Sequence, residues 1–216
     1  MKDQLTLNFR LRDDATFDNY IGSAASKLRE AEHLTFLYGS PGSGKSHLLQ
    51  ALCHETAGSS IYLEDLGSHQ ADILHSLENI SLICLDDIDD VIAMESWQIA
   101  LFNLVNYVKD GSGRLIIAAN KPASAIDCTL PDLATRLNAM VAIESELPTD
   151  SEKLAILTRR AHQRGFELND EVARFILGRA PRNPGHLIKL LEKLEVETLR
   201  QQKIVTIPFV KKTLQL

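Results

Sequence analysis

Cysteine is scarce in this chain of 216 residues: Cys53, Cys84 and Cys128 are odd in number, widely spaced and form no C-x-x-C pair. That argues against a disulfide framework or a zinc knuckle, and a reducing interior is the expected home. The histidines show no metal-ligand spacing. No window approaches the roughly 18 uninterrupted apolar residues of a membrane span. The N-terminus, MKDQLTLNFRLRDDATF, is charged throughout and lacks the apolar stretch of about 7 to 15 residues that a signal peptide requires. The expectation is a cytoplasmic protein with no membrane partner. Positive charge is also in deficit, with 23 Lys and Arg against 29 Asp and Glu, a net −6. Such a chain is poorly suited to gripping phosphate backbones through its overall field, so strong direct DNA binding is not expected. Internal repeats and low-complexity segments are absent.

What remains is ordinary globular composition, 44% hydrophobic and 24% charged. A chain of this length buries roughly 70% of its unfolded surface and needs no metal to hold a core. Five short apolar runs alternate with helical patterns: 34–38, 60–63, 82–85, 114–119 and 140–143. Runs apolar on both faces suit strands buried in a parallel sheet. Their alternation with helices predicts an α/β domain, a parallel five-stranded sheet with helices on both faces. After Pro148 the texture changes. Thr149-Asp150-Ser151-Glu152 has the form of a capping box opening a helix to about Arg164. Asn169 can cap a second helix through Leu177, and Pro181 to Gly185 break the chain before a third, about His186 to Gln202. A short β-like stretch, Ile204 to Ile207, precedes a last turn or two. The expected division is an extended segment 1–15, an α/β domain 16–147 and a small, mainly helical domain 148–216, hinged near Glu146 to Asp150.

The strongest chemical signal is Gly39-Ser40-Pro41-Gly42-Ser43-Gly44-Lys45-Ser46, which matches G-x-x-x-x-G-K-[ST] directly after one predicted strand and before a predicted helix. Glycines let consecutive amides point inward at phosphate oxygens, and the helix N-terminus adds partial positive charge. Lys45 would reach the β and γ phosphates of ADP or ATP, and Ser46 would ligate Mg²⁺. The run Leu82 to Leu85 ends on Asp86 and Asp87. Asp86 is expected to hold the metal through water, and Asp87 either polarises an attacking water or belongs to a solvated acidic loop. Asp89 and Asp90 read as surface charges. Asn120 closes the fourth strand, where it either orients water near the γ-phosphate or serves as a turn residue before Pro122.

These motifs together resemble the AAA+ ATPases, and within them the DnaA family of replication initiators. Thr16-Phe17-Asp18-Asn19-Tyr20 resembles the family's opening motif, which implies adenine contacts at Phe17 and Asn19. Arg136, in Leu133-Ala134-Thr135-Arg136-Leu137, falls where the family carries its box VII arginine. That implies an arginine finger aimed at a neighbour's γ-phosphate; the alternative is a solvated surface arginine. The chain is similar, more narrowly, to the DnaA-related Hda group of regulators. Arg164-Gly165-Phe166-Glu167-Leu168 looks like that group's lid. With the chain stopping after Ile207 to Leu214, DnaA's helix-turn-helix domain is expected to be missing. Gln4-Leu5-Thr6-Leu7-Asn8-Phe9 resembles a peptide that docks on the sliding clamp, with Gln4 at a pocket edge and Leu5, Leu7 and Phe9 in a groove; the alternative is an edge strand.

The resemblance implies a negative regulator of replication initiation. It would bind the DNA-loaded β sliding clamp of DNA polymerase III and stimulate hydrolysis of DnaA-bound ATP to inactive DnaA-ADP. Intrinsic ATPase activity would be weak. The sensor II arginine usual in AAA+ lids is replaced near Gly185 and His186, and Arg182 substitutes only if its loop folds inward. A homodimer through head-to-tail contacts is compatible with the type. The rival expectations are a stand-alone AAA+ ATPase of the helicase-loader type and a small-molecule P-loop kinase. The appended helical region counts against the kinase.

Overall fold

The computed structural model describes residues 11–31, 33–77, 79–181, 183–201 and 204–216. The chain forms two compact units, the first ending at Glu146 and the second spanning Leu147–Leu216.

In the first unit, α1 (Ala24–Glu30) precedes β1 (Leu34–Tyr38), α2 (Lys45–Glu55), β2 (Ser60–Leu63), β3 (Leu82–Leu85), α3 (Glu95–Asp110), β4 (Arg114–Ala119), α4 (Pro131–Asn138) and β5 (Val141–Glu144). All pairings are parallel, and the sheet order is β2-β3-β4-β1-β5. Because side chains alternate across a strand, each run feeds two separate cores. Phe36, Leu63, Ile83, Leu85, Leu115, Ile117 and Ala119 face one side, packing with Trp97, Leu101 and Leu104 of α3 and Leu133 and Leu137 of α4. Leu37, Tyr62, Leu82, Cys84, Ile116, Ala118 and Ile143 face the other, packing with Leu28 of α1 and Leu48, Leu49 and Leu52 of α2. The sheet is thus covered on both faces, as its apolar texture predicts.

Burial differs from expectation at one edge. β5 pairs only with β1, and only Ile143 of its four residues is buried, so it is an edge strand rather than a strand buried on both faces. The free cysteines Cys53 and Cys84 are buried within the α2-side core.

The second unit contains α5 (Asp150–Gln163), α6 (Asp170–Arg179), α7 (Pro184–Gln201) and α8 (Ile207–Leu214) around Leu157, Phe166, Val172, Ile176, Leu187, Leu191, Leu194 and Phe209. The capping box is formed in both directions: Thr149 Oγ1 accepts from the Glu152 amide at 3.3 Å, and Glu152 Oε2 accepts from the Thr149 amide at 2.7 Å. Asn169 Oδ1 caps α6 by accepting from the Val172 amide at 2.9 Å. No strand forms at Ile204 to Ile207. Val205 packs into the helical core instead, and Thr206 caps α8, whose first residue is Ile207. An isolated apolar run of four residues fits a helix approach as well as a strand.

One buried polar side chain ties the α3 face together. Gln98, 1% exposed, donates to the Ile92 carbonyl at 2.8 Å, while its Oε1 accepts from the Leu130 amide at 2.7 Å and the Thr129 hydroxyl at 3.1 Å. It thereby fixes the loop from which α4 starts. Gln98→Leu keeps the volume but orphans these buried groups. Urea denaturation should show a loss of about 2 kcal/mol, whereas an unchanged midpoint would remove Gln98 from this role.

Candidate nucleotide site

The order β3-β4-β1 brings three strand ends side by side, and ligands of open α/β sheets bind at such carboxyl ends. β1 runs into the glycine-rich loop, β3 into Asp86 and β4 into Asn120. The side-chain alternation does the aiming. Asp86 follows Cys84 by two residues and Asn120 follows Ala118 by two, so both continue the face that packs on α2.

Lys45, the first residue of α2 and only 5% exposed, joins all three strand ends. Its Nζ donates to the Gly39 carbonyl at 2.9 Å and to Asn120 Oδ1 at 3.0 Å, and lies 3.9 Å from Asp87 Oδ1. The loop itself is tightly packed. A Cβ at Gly39 would lie 2.2 Å from the Ser145 carbonyl oxygen, and Gly44, at φ +96°, lies against the Tyr20 ring. The Ser145 hydroxyl, just past β5, donates to the Ser43 carbonyl at 2.9 Å and meets the Tyr20 hydroxyl at 3.2 Å. Among the described residues, the amides of Gly42, Gly44, Lys45 and Ser46 donate to no carbonyl, and the buried Ser43 hydroxyl has no partner. A loop with unspent donors at a helix N-terminus is what a phosphate chain requires, so a nucleotide fits these residues.

The acidic group divides by environment. Asp86 is 2% exposed; its Oδ1 accepts from the Asp87 amide at 3.1 Å and its Oδ2 from the Tyr62 hydroxyl at 2.7 Å. Two lone pairs remain to it, enough for one water or metal contact. Burial, then Asp86 and Glu64, push the Tyr62 phenol well above its usual range, so it remains a donor. Asp87 sits in the left-handed region at φ 45° and is partly exposed. Its carboxyl is raised, chiefly by burial and then by Asp86, with Lys45 opposing. Among the described residues, no three His, Cys, Asp or Glu side chains gather to hold an ion. Mg²⁺ at Ser46 and Asp86 would therefore take most of its ligands from phosphate and water.

Asp89 corrects the expectation of a surface charge: its Oδ2 accepts from the Asn120 amide at 2.6 Å, holding the end of β4 in place. The spacing of the acidic run offered no signal for this, because the partner is a backbone amide 31 residues away.

Elsewhere the opening motif forms a short turn, Phe17–Asn19. The Phe17 ring is buried in the α2-side core with the Arg29 guanidinium 4.4 Å above it. Asn19 donates to the Asp14 carbonyl at 2.9 Å, and the His47 ring meets the Thr16 carbonyl at 2.7 Å. Arg136 lies on α4, half-buried, with no ion-pair partner among the described residues. Gln4, Leu5, Leu7, Phe9 and Arg182 lie outside the described residues.

The model of the Hda lid domain matches residues 150–214. An uncharacterized protein of Haemophilus influenzae is 36% identical over 231 aligned positions that cover all of both chains. Domain III of the replication initiation protein DnaA from Thermotoga maritima superposes with a TM-score of 0.77 at 21% identity, covering 96% of this chain and 98% of that one. AMPPCP-bound DnaA from Aquifex aeolicus gives 0.69 at 21% identity, over 90% of this chain and 71% of that one. A RuvB variant from Thermotoga maritima gives 0.72 at 18% identity, over 93% and 71%. The structural likenesses establish an AAA+ fold.

Because the folded state raises the Asp87 carboxyl, its ionised form opposes folding, and stability falls as pH rises through the raised value. Asp87→Asn removes that charge and tolerates the left-handed backbone. The nucleotide-free variant should melt about 1–3 °C higher at neutral pH. The gain should vanish below the ordinary aspartate value of 3.8. A pH-independent difference would contradict this origin.

Proposed function

The chain belongs to the Hda-like, DnaA-related AAA+ proteins, and from that premise we propose that it is a negative regulator of chromosomal replication initiation. It acts on nucleotide-bound DnaA, presented by a DNA-loaded sliding clamp, rather than through its own turnover. The observation that carries this reading is the coexistence in one chain of a phosphate-holding set centred on Lys45 and the Hda lid match over residues 150–214.

In its own site the chain holds ADP or ATP. The unspent amides of Gly42, Gly44, Lys45 and Ser46 and the Lys45 ammonium take phosphate oxygens, with Ser40, Pro41 and Ser43 shaping the loop. Phe17 and Asn19 set the backbone that borders the base. Mg²⁺, held by Ser46 and Asp86, would neutralise phosphate charge. Asn120 and Asp87 would orient an attacking water. The nucleotide keeps the strand ends and α2 in one arrangement, from which Arg136 faces DnaA. A guanidinium presents planar, permanently charged donors suited to a phosphoryl group, and α4 is a firm platform because Gln98 fixes its start. Supplied in trans, such a finger contributes about 10³–10⁵ in rate. Gln4, Leu5, Leu7 and Phe9 dock on the clamp.

The same complete set at Lys45 also favours a second reading, a stand-alone AAA+ ATPase of the helicase-loader type. Hydrolysis of DnaA-bound ATP with clamp-loaded DNA separates them, comparing wild type with Arg136→Ala and with the double variant Gln4→Ala/Leu5→Ala. The proposal expects acceleration by wild type. Arg136→Ala should lose at least about 10³-fold, and the double variant should lose the clamp-dependent part. Wild type that leaves DnaA-ATP untouched but hydrolyses free ATP would replace this reading with the second one.

A further inference from the structure

Tyr62 has no place in the phosphate-binding motif, yet it is bonded to the carboxylate that the site depends on. It pairs with Cys84 across β2 and β3, so its side chain shares the α2-facing side with Asp86. Its ring is 3% exposed, and its hydroxyl lies 2.7 Å from Asp86 Oδ2 and 3.1 Å from Glu64 Oε2. A phenol has one proton, and the shorter, buried contact to Asp86 receives it. The other Asp86 oxygen is held by the Asp87 amide. Each oxygen thus has one fixed donor, and turning the carboxylate breaks both bonds. Its remaining lone pairs point in set directions.

We infer that Tyr62 is a positioning residue for Asp86, holding the carboxylate in the orientation from which it would meet Mg²⁺ beside a bound nucleotide. The inference rests on the nucleotide-site reading above and adds to that site a residue from outside the phosphate-binding motif.

The test is the affinity of a fluorescent ADP with Mg²⁺ and with EDTA, together with a Mg²⁺ titration at fixed ADP, for wild type and Tyr62→Phe on the full chain. In wild type, Mg²⁺ should tighten binding. Tyr62→Phe keeps the ring and removes the bond. It should lose about tenfold in affinity with Mg²⁺, need about tenfold more Mg²⁺ for half-maximal tightening, and keep its affinity in EDTA within about twofold, which also shows that the site is folded. Equal losses with Mg²⁺ and EDTA would mark Tyr62 as merely structural and overturn the inference, and so would an affinity unchanged under both conditions. Wild type that binds no ADP under either condition would overturn the nucleotide-site reading itself.

Discussion

A buried ammonium is tolerated only where its protons find acceptors. Lys45 meets that demand by drawing together the Gly39 carbonyl, the Asn120 amide oxygen and, more distantly, Asp87. These groups stand at the ends of β1, β4 and β3, three adjacent strands. The sheet order is therefore part of the site: β4 must lie between β1 and β3 for one lysine to reach all three. The packing around the loop follows the same demand. Ser145 leaves no room for a side chain at Gly39, and Tyr20 occupies the space beside Gly44. A loop braced in this way presents its amides without first having to order them, which reduces the cost of capturing phosphate.

The two faces of the sheet divide the labour. The α2 side carries the phosphate loop, Asp86 and Tyr62. The α3 side carries Trp97 and Gln98, which seat the start of α4 and with it Arg136. The proposed regulator therefore holds its own nucleotide on one face and builds the platform for its arginine on the other. The β5 edge is exposed at all residues but Ile143.

Much of this was legible in the chain. The glycine-rich loop carries its own chemistry, and Asp86 ends an apolar run whose period of two sets its direction. The capping box at Thr149 and the cap at Asn169 were readable because both are local, made within four residues. The legible part ends where partners are remote in sequence. Asp89 looked like one of several solvated charges, but its partner is the amide of Asn120. Tyr62 looked like ordinary strand composition, and only the β2–β3 register places it on Asp86. β5 looked buried because apolar content does not reveal which strand lies at an edge. Ile204 to Ile207 misled for a related reason: a short apolar run marks burial without specifying backbone shape.

The proposed function is action in trans: this chain would alter a nucleotide that it does not itself hold. The most direct measurement is single-turnover phosphate release from labelled ATP pre-bound to DnaA, on clamp-loaded DNA, with this chain's own site filled with ADP. Action in trans requires release far faster than from DnaA alone, at a rate that saturates with the concentration of this chain. Phosphate release that stays at the rate of DnaA alone would contradict it.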